Sequence, residues 1–415
     1  MVDSPNTLSS TSNALTINDL PPDILDEILL HVPRVSQRDV PLQERDDLLW
    51  EEDVPFQESM RYLGTFLGDY PRSPPAETML APLRLAQVCR LWRDAATTLP
   101  ALWTDVNVRL YRHNSEERDA WFVWAVDTWM ERSKASPLRL SVECDTLDVS
   151  EWKFDVAVHI LKKLLDHQNR WRVAHFAFIG HNPKELPQLH LVDAPILESL
   201  FVCWDGIAVD YSMSQVHLDF SSSPSLRSLH LTSYPHIEPG QLSGLRELSL
   251  HGTLSLYGHG VQRAFPLEIF RHMPNLEILK TRSLECTFHD LSENSQSPPI
   301  VLHELHTLVL CCDVVSRLIV KRLTLPALRR LILDHFPGDN IEELSVMLGR
   351  SQPPLEYLEL SGRYFDERAY MHTLLLCPSV KTLCIVTSGR RQPHFVPKSR
   401  EALYQELLLE CVWRK

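Results

Sequence analysis

The chain has 415 residues, 44% hydrophobic and 23% charged, enough apolar material for a sizeable core, and this composition excludes a wholly disordered chain. Lysine and arginine number 41 against 54 for aspartate and glutamate, a net charge of −13, so a chain devoted to neutralising phosphates is excluded and nucleic acid is not an expected partner. Nine cysteines are scattered without the dense spacing of a secreted disulfide scaffold, and no C-x-x-C pair occurs. No basic, apolar export segment opens the sequence, and no run approaches the roughly 20 apolar residues that cross a bilayer. Reduced thiols, no membrane and a cytoplasmic or nuclear location are therefore expected.

Residues 1–15 are rich in Ser, Thr and Asn and read as a flexible leader. Pro22 suits a first helical position, and Asp23, Asp26 and Glu27 suit the first turns, where the helix dipole favours acid. Ile24, Leu25, Ile28, Leu29 and Val32 then fall on one stripe of a helix that Pro33 stops. Residues 34–82 are acidic around 45–53 and dense in proline, the pattern of an insertion that is at best partly ordered. A second amphipathic helix is expected over 83–96, with Leu85, Val88, Cys89, Trp92 and Ala96 on its apolar face. Pro100 to Trp103 forms a turn into 104–110, where Val106, Val108 and Leu110 alternate as in a half-buried strand.

Helical stretches at 121–132 and 156–167 precede strand-like runs at 138–142 and 171–178. One motif then recurs, a Pro or polar turn followed by L-x-x-L-x-L or a near variant, as in Ser223-Pro224-Ser225-Leu226-Arg227-Ser228-Leu229-His230-Leu231. Its first apolar positions are Leu197, Leu226, Leu245, Leu276, Leu305, Leu328, Leu355 and Val380, a mean spacing of about 26 residues that lies inside the leucine-rich repeat range. Leucine supplies 67 of the 415 residues, which fits. The last two leucines of each motif are two apart and point into the core, whereas the residues before, between and after them are expected on a solvent-facing sheet. The repeat lengths are uneven and the Asn that commonly follows the last leucine is absent, so an irregular convex side is expected. Residues 399–415 suit a helix capping the end of the sheet.

Leu20-Pro21-Pro22-Asp23-Ile24-Leu25, then Val88-Cys89-Arg90-Leu91-Trp92 and Pro100-Ala101-Leu102-Trp103, resemble the F-box of fungal F-box-like proteins. The resemblance covers about 50 residues split by the insertion. It implies docking on the adaptor subunit of an SCF-type, cullin-RING ubiquitin ligase, with the repeats holding a protein substrate. Leu20, Pro21, Ile24, Leu25, Ile28, Val88, Cys89, Trp92 and Trp103 match the motif and by resemblance form the adaptor-binding or supporting apolar surface. Read from the residues alone, the same apolar set could instead pack wholly on the first repeats as a cap.

No G-x-S-x-G elbow, phosphate loop or H-E-x-x-H is present. His303, His306, Cys311 and Cys312 come nearest to a metal constellation, but strand residues three apart face opposite sides. Neither an enzyme nor a cofactor is expected. On the concave sheet Ser228, His230, Glu247, Ser249, Lys280, Arg282, Arg330, Ile332, Asp334, Tyr357 and Glu359 are expected to be exposed, with Tyr357 and Arg330 as anchors for a protein or peptide.

The sequence thus describes an α/β chain: a small helical F-box-like unit over about 16–110, interrupted at about 34–82, then a leucine-rich repeat solenoid over 111–415, a parallel-sheet horseshoe with an irregular helical convex side. The function expected is a substrate-recognition adaptor that joins an SCF adaptor subunit, and through it a cullin, to a protein substrate. A repeat scaffold that binds partners without any ligase, its N-terminal unit a cap, is the other reading.

Overall fold

The computed structural model describes residues 24–25, 27–29, 76–110, 115–145, 151–179, 191, 193–205, 217–218, 223–231, 236–237, 242–251, 267–282, 298–311, 319–334, 341–361, 377–387 and 390–395. Leu20, Pro21, the acidic stretch at 45–53 and the expected capping helix at 399–415 lie outside them. The chain divides into two compact units, Met1–Asn107 with Ala125–Ser136, and Val108–Trp124 with Pro137–Lys415. The first unit thus includes Ala125–Ser136, which lies past the boundary expected near residue 110.

In the first unit, residues 24–25 and 27–29 are helical, with Leu25 and Leu29 buried. Helix α1 spans Ala76–Ala86 and α2 spans Arg90–Thr98, followed by a 3-10 turn at Pro100–Trp103. Two sequence expectations are corrected here. The last residues of the expected insertion, 76–82, belong to α1, which continues through Pro82. The single helix expected over 83–96 is broken at Gln87–Cys89, where Gln87 and Val88 donate to Arg84 and Leu85 in tight i→i+3 bonds and Cys89 turns extended as the N-cap of α2. Arg93 Nε donates to Ala86 O at 2.9 Å and so satisfies a carbonyl that the end of α1 leaves without a helical partner.

Helix α3, Glu116–Arg132, contributes its C-terminal part to this unit. Buried Trp103 and Trp129 meet edge to face with centroids 4.7 Å apart. Trp103 Nε1 donates to Ala96 O at 2.8 Å, and the Arg132 guanidinium lies 4.4 Å from the centroid of the Trp103 ring.

The second unit is built on strands β1 Asp105–Leu110, β2 Leu138–Asp145, β3 Trp171–Ile179, β4 Ser199–Asp205, β5 His217–Leu218, β6 Ser228–Leu231, β7 His236–Ile237 and β8 Glu247–His251. They continue as β9 Ile278–Arg282, β10 Ile300–Val301, β11 Thr307–Cys311, β12 Leu323–Thr324, β13 Arg330–Asp334, β14 Tyr357–Ser361, β15 Thr382–Thr387 and β16 Arg390–Phe395. Twelve of them form one sheet in the order β1-β2-β3-β4-β6-β8-β9-β11-β13-β14-β15-β16, with β5–β7 and β10–β12 as small separate pairs. Pairing is parallel from β2 to β15, and β16 returns antiparallel on β15. A long parallel sheet with connecting helices makes this an α/β structure.

The leucine motifs set the register. Leu200, Leu229, Leu248, Leu279, Leu308, Leu331, Leu358 and Leu383 align across neighbouring strands as one row. Two residues on, Val202, Leu231, Leu250, Thr281, Leu310, Leu333, Leu360 and Ile385 form a second. A one-residue slip would turn every one of these side chains to the other face, so burial of one face fixes the pairing. Before six strands of the long sheet a turn closes by an i→i+3 bond onto the motif's first apolar residue, as in Leu226 N to Ser223 O, Leu276 N to Met273 O and Leu328 N to Leu325 O. Pro224, Pro274 and Pro326 occupy the second turn position, where a fixed φ costs nothing.

The connections differ from one another. Helix α4, Glu151–Leu165, joins β2 to β3, and α5, Ile341–Ser351, joins β13 to β14. A 3-10 segment at Leu267–His272 precedes β9. Helix α5 buries Leu344, Met347 and Leu348, and Arg350 holds its end by donating to the carbonyls of Val320 and Leu323 and to Thr324 Oγ1.

Candidate interaction surfaces

In the first unit the residues matching the F-box-like motif divide by exposure. Ile24 is 46% and Val88 60% exposed, and Leu91, which the sequence reading did not single out, is 40% exposed. Ile28 and Cys89 are half-buried. Leu25, Trp92 and Trp103 are buried, which suits the supporting rather than the docking half of the role the resemblance implies, because a side chain spent on the unit's own core has no surface left for a partner. The break after α1 explains the exposure of Val88, since continuing the helix would have carried it onto the apolar stripe.

In the second unit the face opposite the leucine rows carries the alternate residues of each strand. One row of this face runs Ser141, His175, Phe201, His230, Ser249, Lys280, Val309, Ile332, Glu359 and Cys384. Three residues expected to be exposed are buried: His230 at 7%, Ser249 at 1% and Glu359 at 3%. Strands about 4.8 Å apart press in-register neighbours together. Phe201 and Ser249 flank His230, His230 and Lys280 flank Ser249, and Ile332 and Cys384 flank Glu359. Ser228, Glu247, Lys280, Ile332 and Tyr357 are half-buried, and Arg330 is exposed as expected. Arg282 pairs with His251, and Asp334 with Cys311 and Ser361, at the strand ends.

Two polar groupings stand on this face. In the first, Ser228 Oγ lies 2.7 Å from His230 Nε2 and 3.4 Å from Glu247 Oε2, and Glu247 Oε1 is 3.1 Å from Lys280 Nζ. The bonds close as a relay when His230 carries its proton on Nε2 and donates to Ser228, which donates to Glu247. Beyond Phe201, His175 meets that ring edge to face at 4.1 Å, and its Nδ1 lies 3.4 Å from Ser141 Oγ. Burial pushes His175 down to about 4, against the pull of Glu143 and with help from Arg109 and His230. His230 is lowered for the same first reason, opposed by Glu247 and assisted by Lys280. Both rings are therefore neutral at pH 7.

In the second grouping Tyr357 donates to Glu359 Oε2 at 2.7 Å, and the Arg330 guanidinium lies 4.6 Å from the centroid of the Tyr357 ring. Burial, the bond to Glu359 and the Glu359 charge all raise the tyrosine hydroxyl, while Arg330 opposes them.

A charged rim borders the face, formed by the residue after the first apolar position of each motif. Backbone N–H to carbonyl bonds link Arg172, Glu198, Arg227, Arg246, Glu277, His306, Arg329, Glu356 and Lys381 in sequence from strand to strand. Side chains along it pair as Arg172–Glu198 at 2.9 Å, Arg246–Glu277 at 2.9 Å, Arg329–Glu356 at 3.8 Å and Lys381–Glu356 at 3.4 Å. The sequence reading missed this rim, although a polar residue at the same motif position each time was its signal.

His306 belongs to the rim, its Nε2 3.8 Å from Glu277 and its Nδ1 3.0 Å from Thr307 Oγ1. His303 lies in the preceding bend, and Cys312 is outside the described residues. Among the described residues no three His, Cys, Asp or Glu gather where they could hold a metal ion, and no helix is long and apolar enough to cross a membrane. Among the described cysteines, Cys89, Cys144, Cys203, Cys377 and Cys384 are thiols outside any disulfide. Burial raises Cys377 to about 11, which makes it a poor nucleophile. The chain matches no protein-family model and no curated protein.

Proposed function

We propose that this chain is a substrate-recognition adaptor of an SCF-type ubiquitin ligase: its F-box-like first unit docks on the adaptor subunit, and the leucine-rich repeat solenoid of its second unit holds a protein substrate. The observation that carries the reading is the division of the motif residues in the first unit, with Leu25, Leu29, Trp92 and Trp103 buried as support while Ile24 and Val88 face outward. A partner docked on Ile24 and Val88 would take these aliphatic groups out of water. The regular parallel sheet, with polar and aromatic groups on one face, supports the second half of the reading.

The mechanism is proximity. Holding a substrate beside a ubiquitin-charged enzyme raises the effective concentration of its lysines, and no bond chemistry is asked of this chain. The test is a pull-down of the full-length protein with the purified SCF adaptor subunit, beside Ile24→Asp with Val88→Asp. Capture of the wild type and loss of capture in a double variant with unchanged circular dichroism supports the reading. Failure of the wild-type protein to bind overturns it and leaves a partner-binding scaffold whose first unit is a cap.

A further inference from the structure

Among the described residues, the sheet face of the second unit carries two opposed charge pairs. Glu247 holds Lys280 at 3.1 Å, and Glu143 lies 3.6 Å from Arg109. Arg330 is exposed and lies over the Tyr357 ring, with no ion pair to a carboxylate among the described residues. Tyr357 is in turn fixed by its bond to Glu359, which is buried. The negative end of this triad therefore turns inward and the guanidinium outward.

The rim beside it has the same bias: Arg329 and Lys381, both well exposed, share the single carboxylate of Glu356. Among the described side chains, three exposed cations stand around one part-exposed acid, the reverse of the sign of a chain whose net charge is −13. A guanidinium stacked on an aromatic face keeps its N–H edge available for a carboxylate, in a planar fork that an ammonium lacks. Half-buried Ile332 adds apolar surface beside Glu359 in the next row.

We infer that this corner of the sheet, Arg330 on Tyr357 with Arg329 and Lys381 at the rim, binds an acidic segment of a protein partner, a carboxylate of that segment engaging the Arg330 guanidinium. The inference rests on the reading of the sheet as the substrate-holding part of an adaptor and names the chemistry of what it holds.

The test uses the full-length protein and fluorescence anisotropy with a labelled short Asp/Glu peptide, its Asn/Gln counterpart, and that counterpart carrying phosphoserines. The acidic peptide is expected to bind, the neutral one not to, and binding is expected to weaken as salt rises. Arg330→Gln should weaken binding roughly tenfold or more, and Arg330→Lys should restore it only in part. Because Arg330 is exposed, both variants should keep the wild-type urea midpoint, which is measured alongside. Equal binding of acidic and neutral peptides, unchanged binding by Arg330→Gln, or binding of the phosphoserine peptide alone overturns the assignment. Adaptor capture is scored on the same preparations: capture without acidic-peptide binding fails this inference alone, and peptide binding through Arg330 without capture fails only the ligase reading.

Discussion

The Tyr357 hydroxyl donates to Glu359 Oε2 at 2.7 Å, two residues along the same strand, so the two side chains leave one face of the sheet together. The carboxylate is buried and the phenol bridges it to the outer edge of the face. Tyr357→Phe keeps the ring under Arg330 but removes a donor from a buried acid. The expected cost is about 1–3 kcal/mol in urea unfolding. Because the folded hydroxyl is raised above its ordinary value, its contribution is full below about pH 10 and fades as pH climbs through the raised value. In an ultraviolet titration, the wild type should show a late-ionising tyrosine that the variant lacks.

His175 makes the opposite case. It is held neutral between Ser141 and Phe201, whereas in the unfolded chain it protonates near its ordinary value of about 6.5. A depressed folded value means that the unfolded state binds the extra proton first. The stabilisation is therefore present above about pH 6.5 and is lost as pH falls toward the folded value of about 4. His230 works in the same direction. Urea midpoints measured from pH 7 down to pH 4.5 should fall more steeply for the wild type than for His175→Gln. Parallel curves would show that the ring titrates alike in both states.

The fold was legible in the sequence to the extent that it depends on local pattern. Apolar positions two apart, preceded by a proline turn, gave the strands around Leu229 and Leu231, Leu331 and Leu333, and Leu358 and Leu360, because each pair must face the same core. Strand β16 was missed because Arg390–Phe395 carries Pro393, which cannot donate to a ladder and is tolerated only where a strand lies at an edge. The break at Gln87–Cys89 was hidden because Leu85, Val88, Cys89 and Trp92 keep helical spacing across it.

Burial of His230, Ser249 and Glu359 could not be read from their own repeats, since what covers each includes the in-register residues of neighbouring strands. Arg330 and Tyr357 were expected on the concave face as anchors for a protein or peptide, but that the guanidinium lies over the ring was not read from the sequence. The rim cations that give that corner its charge needed the strand alignment.

The two rows of leucines and the rim of charges hold the same strands in register, but with different strength. Leu308 is fully buried, aligned between Leu279 and Leu331. Truncation to alanine removes its transfer free energy and leaves a cavity that parallel strands on both sides cannot collapse without breaking their own pairing. The expected cost is about 2–5 kcal/mol. Arg246 pairs with Glu277 at 2.9 Å at the exposed end of the same strand array, where water screens the charges and ordering two long side chains offsets much of the attraction. Arg246→Gln should therefore cost less than about 1 kcal/mol, and less again in high salt. Urea unfolding of the two variants side by side, with and without added salt, separates the roles: the leucine rows stabilise the sheet, and the rim contributes mainly through the order of charges it presents. A salt-insensitive loss in Arg246→Gln as large as that in Leu308→Ala would overturn this division.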